Sequence, residues 1–207
     1  MNNTILFEAI SNTIRALEIT EISEDRKAIL KPLIDYLNDK IKTNKSIRLN
    51  FICTHNSRRS HLSQIWAQTM AAYYDVSNVS CYSGGTEATA MFPKVGEILN
   101  NQGFKISKLS EESNPVYSIK FSGNEPAIIA FSKQFSDEFN PASEFAAIMT
   151  CSSADKGCPM VFGSDKRITI TYEDPKKSDG TPQQTETYFN RSLQIATEMK
   201  YVFSNLR

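Results

Sequence analysis

The chain has 207 residues, 40% of them hydrophobic, with 23 basic and 23 acidic side chains and a formal net charge of zero. That length suits one domain with an appendage and a sizeable core, and the charge balance offers no basic face, so no nucleic-acid partner is expected. No apolar run approaches the roughly 20 residues that span a bilayer, so no membrane partner is expected either.

The first residues, MNNTILFEAISNTIRALEI, show neither a basic leader nor a cleavage site. A cytoplasmic chain is expected, with its four cysteines reduced. Residues 4–19 carry Ile5, Leu6, Ala9, Ile10, Thr13, Ile14 and Leu17 on one face, which predicts an amphipathic helix. A break follows at 21–24, with Ser23 as N-cap. A second helix should run to residue 43, with Ile29, Leu30, Leu33, Ile34, Leu37 and Ile41 in register. Pro32 should kink it or mark a late start. Both apolar faces need cover. A helical hairpin packed on the main domain supplies it; a dimerisation or docking element is the alternative. The linker is 42–45, KTNK.

The next stretch organises the chain. Residues 47–53, IRLNFIC, are apolar, β-branched and aromatic, at strand length. Residues 60–74 carry Leu62, Ile65, Trp66, Thr69, Met70 and Tyr73 at helical spacing. Between them lies CTHNSRRS, with five residues separating Cys53 from Arg59 and Ser60 next. A strand-to-helix turn aims backbone N–H groups and the positive end of a helix dipole at one spot, where an oxyanion is held. Arg59 can give a planar fork of donors to a tetrahedral anion, and Ser60 can hydrogen-bond the sulfur. Such surroundings favour the thiolate, the nucleophilic form of cysteine. The competing reading is a buried cysteine at a strand end.

A second strand is predicted at 78–84, with Gly84 and Gly85 as a turn. Pro93 opens a helix through Val95, Ile98 and Leu99, and Gly103 ends it. Residues 104–114 read as a connection. Residues 116–121 and 127–131, joined through SGNEP, predict a β-hairpin. Residues 145–150, FAAIMT, predict a buried strand ending at Cys151, and 168–172, ITITY, another ending before Asp174. Residues 176–184 read as loop. A final helix carries Tyr188, Phe189, Leu193, Ala196, Met199, Val202, Phe203 and Leu206. The result is an α/β three-layer sandwich: a central, mostly parallel four-stranded sheet, an N-terminal helical hairpin and an inserted β-hairpin. In such sheets chemistry gathers beyond the carboxyl ends of the strands, so Cys53, Cys151 and Asp174 should share a rim. Cys81 reads as a buried strand residue.

CTHNSRRS resembles the nucleophile loop of the low-molecular-weight protein tyrosine phosphatase superfamily. The resemblance implies Cys53 as nucleophile and Arg59 as oxyanion ligand, with Thr54, His55, Asn56, Ser57, Arg58 and Ser60 completing the oxyanion-binding loop. Asp174-Pro175 is similar to the family's late aspartate-proline, which implies Asp174 as general acid. YSGGTEATAMFPKVGEILNNQGFKIS is similar to its second strand, turn and helix. The likeness covers roughly residues 47–205, which implies a catalytic domain at 45–207 and a helical extension at 1–44; residues 111–144 look expanded. His55 stands where the family usually has glycine, Arg58 where many members have a second cysteine, and Gln64 where some arsenate reductases have a glutamate that helps bind potassium.

One branch is more similar, the thioredoxin-coupled arsenate reductases, because TCSSADKGCP supplies Cys151 and Cys158. The resemblance then implies arsenate as substrate, a relay through Cys53, Cys151 and Cys158, and thioredoxin as reductant. No cofactor and no metal is expected: Cys151 and Cys158 lack C-x2-C spacing, and the only histidines, His55 and His61, flank Cys53. Two other readings stay open: a tyrosine phosphatase hydrolysing phosphate monoesters through phosphocysteine, and an anion or redox sensor without turnover.

Overall fold

Strand β1 (Ile47–Cys53) lies inside the central sheet, and every residue but Arg48 is buried. Its continuous apolar run is what a parallel strand covered on both faces requires. The computed structural model describes residues 5–157 and 160–207. β1 pairs in parallel with β2 (Val79–Gly85) on one side and β6 (Phe145–Met149) on the other. β7 (Ser164–Thr169) pairs in parallel with β6, which gives a four-stranded sheet in the order β2-β1-β6-β7. The parallel sheet of the expected α/β architecture is therefore present. Helix α3 (Arg59–Tyr73) follows β1, and α4 (Pro93–Asn101) follows β2. The long α6 (Gln184–Ser204) packs on α3 and α4. Trp66 on α3 is fully buried, stands edge-on to Phe104 at 5.0 Å and donates its indole N–H to Ser192 of α6 at 2.9 Å.

The expected hairpin forms from β4 (Tyr117–Lys120) and β5 (Ile128–Ala130). It gains a third antiparallel strand, β3 (Lys105–Lys108), from a stretch read as connection. β3 is short and largely exposed, so its alternation carried little signal.

The N-terminal helices are shorter than expected or better placed. α1 spans Glu8–Ala16, because residues 5–7 are extended: Leu6 bridges Ser122, and Phe7 donates its amide to the Phe121 carbonyl at 2.9 Å. Ile5 is therefore 75% exposed rather than on the buried face. α2 (Glu24–Lys42) begins at its Ser23 cap, which accepts from the Arg26 amide, and runs through Pro32 with no late start. Leu30, Leu33 and Leu37 share one core with Ile10, Ile14, Trp66 and Ile195. Polar ties add to it. Arg26 makes a bidentate pair with Glu198 of α6 at 2.7 and 2.8 Å, and Lys200 donates to the carbonyls of Ile14 and Leu17 at 2.8 Å. The buried faces of the extension are thus part of the main core.

Three further boundaries differ. Gly84 and Gly85 end β2 rather than forming a turn; Gly85 pairs with Cys53. β7 begins four residues earlier than expected, at Ser164, because an edge strand can be polar. Residues 152–157, between the two cysteines Cys151 and Cys158 of the sequence, form the short helix α5 (Ser152–Gly157). Among the described residues no helix is long and apolar enough to cross a membrane.

Candidate active site

Cys53 ends β1, buried, with its sulfur 3.1 Å from the Ser60 hydroxyl at the start of α3. The loop between them is held by its carbonyls. The Thr86 amide donates to the Cys53 carbonyl at 3.1 Å, the Glu87 amide to Thr54 at 2.8 Å and the Phe92 amide to Ser57 at 3.0 Å. The His55 carbonyl accepts from the hydroxyls of Thr89 at 3.1 Å and Ser132 at 2.9 Å. Carbonyls committed outward keep their negative ends off the sulfur side. Asn56 takes the left-handed conformation (φ 42°), which asparagine tolerates. Its side chain donates to Ser60 at 2.9 Å and accepts from the Lys133 amide at 2.9 Å. Gly85 lies so close that a Cβ there would come within 2.6 Å of the Asn56 nitrogen and 2.7 Å of the Thr54 oxygen. His55 projects outward, its Nε2 3.6 Å from Glu87.

Two consecutive arginines leave this loop in one direction. Arg59 donates to the Tyr172 carbonyl at 3.0 Å and to the Asp174 carboxylate at 2.6 Å. The other Asp174 oxygen accepts from the Lys176 amide at 3.1 Å and caps a 3-10 turn, Pro175–Ser178. Arg58 donates to the Tyr188 hydroxyl at 2.5 Å and to Asp179 at 2.7 Å, and its guanidinium lies 4.1 Å from the Phe92 ring centre. The side chain of Arg58, which the resemblance places in the oxyanion-binding loop, is thus engaged by Asp179, Tyr188 and Phe92.

Cys151 sits just past β6, one strand over from Cys53. The register that pairs Ile52 with Met149 brings the two strand ends together. Both thiols lie in one small buried cluster with Met149 and Ala154. The Thr54 hydroxyl is 3.4 Å from the Cys151 sulfur, which also accepts from the Ala154 amide at 3.3 Å. Cys158, the other relay cysteine expected from sequence, lies outside the described residues. Cys81 is buried, and burial alone pushes its thiol pKa far up, so it stays an inert thiol. Among the described residues no cluster of three metal-ligating side chains occurs.

The architecture finds counterparts among known proteins. No family model matches the chain. Over 141 residues, 68% of this chain and 83% of the relative, it is 27% identical to an arsenate reductase of Bacillus licheniformis. Over 125 residues, 60% of this chain and 76% of the relative, it is 28% identical to arsenate reductase 2 of Staphylococcus epidermidis. The structure superposes on the low-molecular-weight protein tyrosine phosphatase from T. tengcongensis with a TM-score of 0.52, covering 78% of this chain and 100% of that one at 17% identity. This is the low-molecular-weight protein tyrosine phosphatase fold. Cys53 and Cys151 share one buried cluster just past β1 and β6, and Arg59, at the start of α3, bonds Asp174 beyond β7, on the side of the sheet where open α/β sheets gather their chemistry.

Several residues that build this site gave no signal in the sequence. Ser132, Lys133 and Phe135 belong to the stretch that looked merely expanded, yet they back the nucleophile loop. Besides the bonds above, Gly85 and residues 133–135 exchange backbone hydrogen bonds at 2.9 Å. Lys133 is almost fully buried; its ammonium donates to the Phe131 carbonyl at 3.2 Å and lies 4.2 Å from the Phe131 ring centre. Burial pushes its pKa down to about 8. His61, directly after Ser60, is fully buried beside Ser83 at 3.3 Å. Burial and the Lys133 charge push its pKa down to about 3, so it is neutral at physiological pH. Gln64 donates to the Cys81 carbonyl at 3.1 Å, so its side chain ties α3 to β2.

Proposed function

We propose that the protein is an arsenate reductase with Cys53 as nucleophile in an oxyanion-binding loop and thioredoxin as its reductant. The observation that carries this reading is the placement of a second thiol, Cys151, beside the nucleophile loop, where phosphate hydrolysis has no use for it. The similarity to arsenate reductases supports the same reading.

Arsenate sits against the loop, where backbone N–H groups, the start of α3 and the Arg59 guanidinium meet its oxygens. Arg59 must turn from Asp174 to do so. The Cys53 thiolate attacks arsenic, and Asp174 gives its proton to the departing oxygen, which leaves as water. The Cys151 thiolate then attacks the Cys53 sulfur. The S–As bond breaks with its electron pair going to arsenic, which leaves as arsenite, and a Cys53–Cys151 disulfide remains. Cys158 attacks Cys151, frees the Cys53 thiolate and forms a Cys151–Cys158 disulfide. The thioredoxin dithiol reduces that bond and is itself oxidised.

The alternative is phosphomonoester hydrolysis, which needs only Cys53, Arg59 and Asp174; the fold supports it. The deciding experiment is NADPH consumption in the presence of thioredoxin and thioredoxin reductase. Arsenate-dependent consumption is expected. Its absence in a protein that hydrolyses phosphotyrosine well assigns the phosphatase, and arsenate or phosphate bound without any turnover assigns a sensor.

A further inference from the structure

The acid-bearing turn is fastened at both ends by neighbouring residues of the nucleophile loop. Arg59 holds Asp174 before Pro175–Ser178, and Arg58 holds Asp179 after it. The second fastening is the more elaborate. Asp179 accepts from Arg58 at 2.7 Å, from the Tyr188 hydroxyl at 2.6 Å and from Gln184 at 3.1 Å. Tyr188 in turn accepts from Arg58 Nε. The guanidinium stacks on Phe92, whose ring centre is 5.6 Å from that of Tyr188 and whose amide is bonded to the loop at Ser57. Burial raises the Asp179 pKa, but the bonds from Tyr188 and Gln184 and the Arg58 charge outweigh it and leave it lowered. Burial and Asp179 raise the Tyr188 pKa, so its phenol remains a neutral donor.

These two fastenings differ in fate once an oxyanion binds. A guanidinium that gives its fork to a tetrahedral anion releases the Asp174 carboxylate, which keeps its bond from the Lys176 amide. Arg58, with both Nε and Nη2 committed and its face on Phe92, has no such reason to move. We propose that Arg58 is a positioning residue that keeps the Pro175–Ser178 turn, and with it the Asp174 carboxyl, docked over the loop while Arg59 holds the substrate. This rests on the reading of the Cys53–Arg59 loop as an oxyanion site.

The test uses hydrolysis of aryl phosphates, which needs the nucleophile, the anion ligand and the acid but not the thiol relay. Proton donation matters most for a poor leaving group. Arg58→Ala therefore loses about tenfold more kcat on phenyl phosphate than on dinitrophenyl phosphate, within the roughly 10²–10⁴-fold worth of a general acid. Its inhibition constant for inorganic phosphate stays within about threefold, as for any residue off the anion. Arg58→Lys recovers part of the loss. Adding Arg58→Ala to Asp174→Asn costs nothing further on phenyl phosphate, because the acid it positions is gone. If Arg58→Ala does not fold, Tyr188→Phe removes one leg of the clamp and should show the same leaving-group pattern in weaker form. Equal losses on all phenols, a parallel loss of phosphate inhibition, or additive effects in the double variant overturn the proposal while leaving the oxyanion reading intact. A wild type that neither hydrolyses aryl phosphates nor binds phosphate overturns the oxyanion reading and this inference with it.

Discussion

Ser60 makes the hydrogen bond to the Cys53 sulfur and also accepts from Asn56, so one hydroxyl joins nucleophile and loop. Hydrogen bonds to a charged group contribute about 1.5–3 kcal/mol. Ser60→Ala should therefore slow iodoacetamide labelling of Cys53 at mildly acidic pH by at least about tenfold. In the wild type Cys53 should label ahead of Cys81, and arsenate or phosphate should protect it. His61 gives a second residue-scale prediction. Its folded pKa of about 3 lies below the unfolded value of roughly 6.5. Between those values the unfolded chain binds the proton and the folded one does not. Stability is therefore full above pH about 6.5 and falls towards pH 3 by up to about 1.4 kcal/mol per pH unit. Urea midpoints measured across that window should flatten in His61→Gln, and an unchanged slope would show that His61 titrates freely. Gly85→Ala should lower turnover, read as kcat per folded molecule, because its Cβ would meet the backbone of Glu87 and of the nucleophile loop at Asn56 and Thr54.

At the scale of elements, the N-terminal helices act through packing. Leu33 of α2 is fully buried in the shared core. Leu33→Ala should cost about 2–5 kcal/mol, seen as a lower Tm, while kcat per folded molecule is unchanged; a loss of kcat at full stability would show that α2 completes the site. What the sequence revealed, and what it hid, divides along the same lines. β1, its loop and α3 were legible because strand, turn and helix each left a local pattern within 27 residues, Ile47–Tyr73. The Ser23 cap and the Pro93 start were legible for the same reason. β3 and residues 132–135 were not, because their partners lie elsewhere in the chain: β3 pairs with β4, and residues 133–135 bond to Gly85 and Asn50. The paired glycines Gly84-Gly85 look like a turn to any local rule. They are small because the backbones of Phe135 and Asn56 approach them. Likewise the place of Arg58 in the loop says nothing of Asp179 and Tyr188, which tertiary contact brings to it.

The whole molecule brings together groups that are distant in sequence: Cys53 and Cys151 at adjacent strand ends, Asp174 through Arg59, and a supporting layer from the expanded stretch. Parallel register does this without any loop having to reach across, since Ile52 and Met149 are already neighbours. A relay of thiols requires that closeness, and hydrolysis alone does not. The most direct test is mass spectrometry of the Cys158→Ser protein after one exposure to arsenate. One arsenite released per chain and a Cys53–Cys151 disulfide are expected, with no further turnover when thioredoxin is supplied. Sustained thioredoxin-dependent turnover in that variant, or arsenite release without a Cys53–Cys151 link, would contradict the relay.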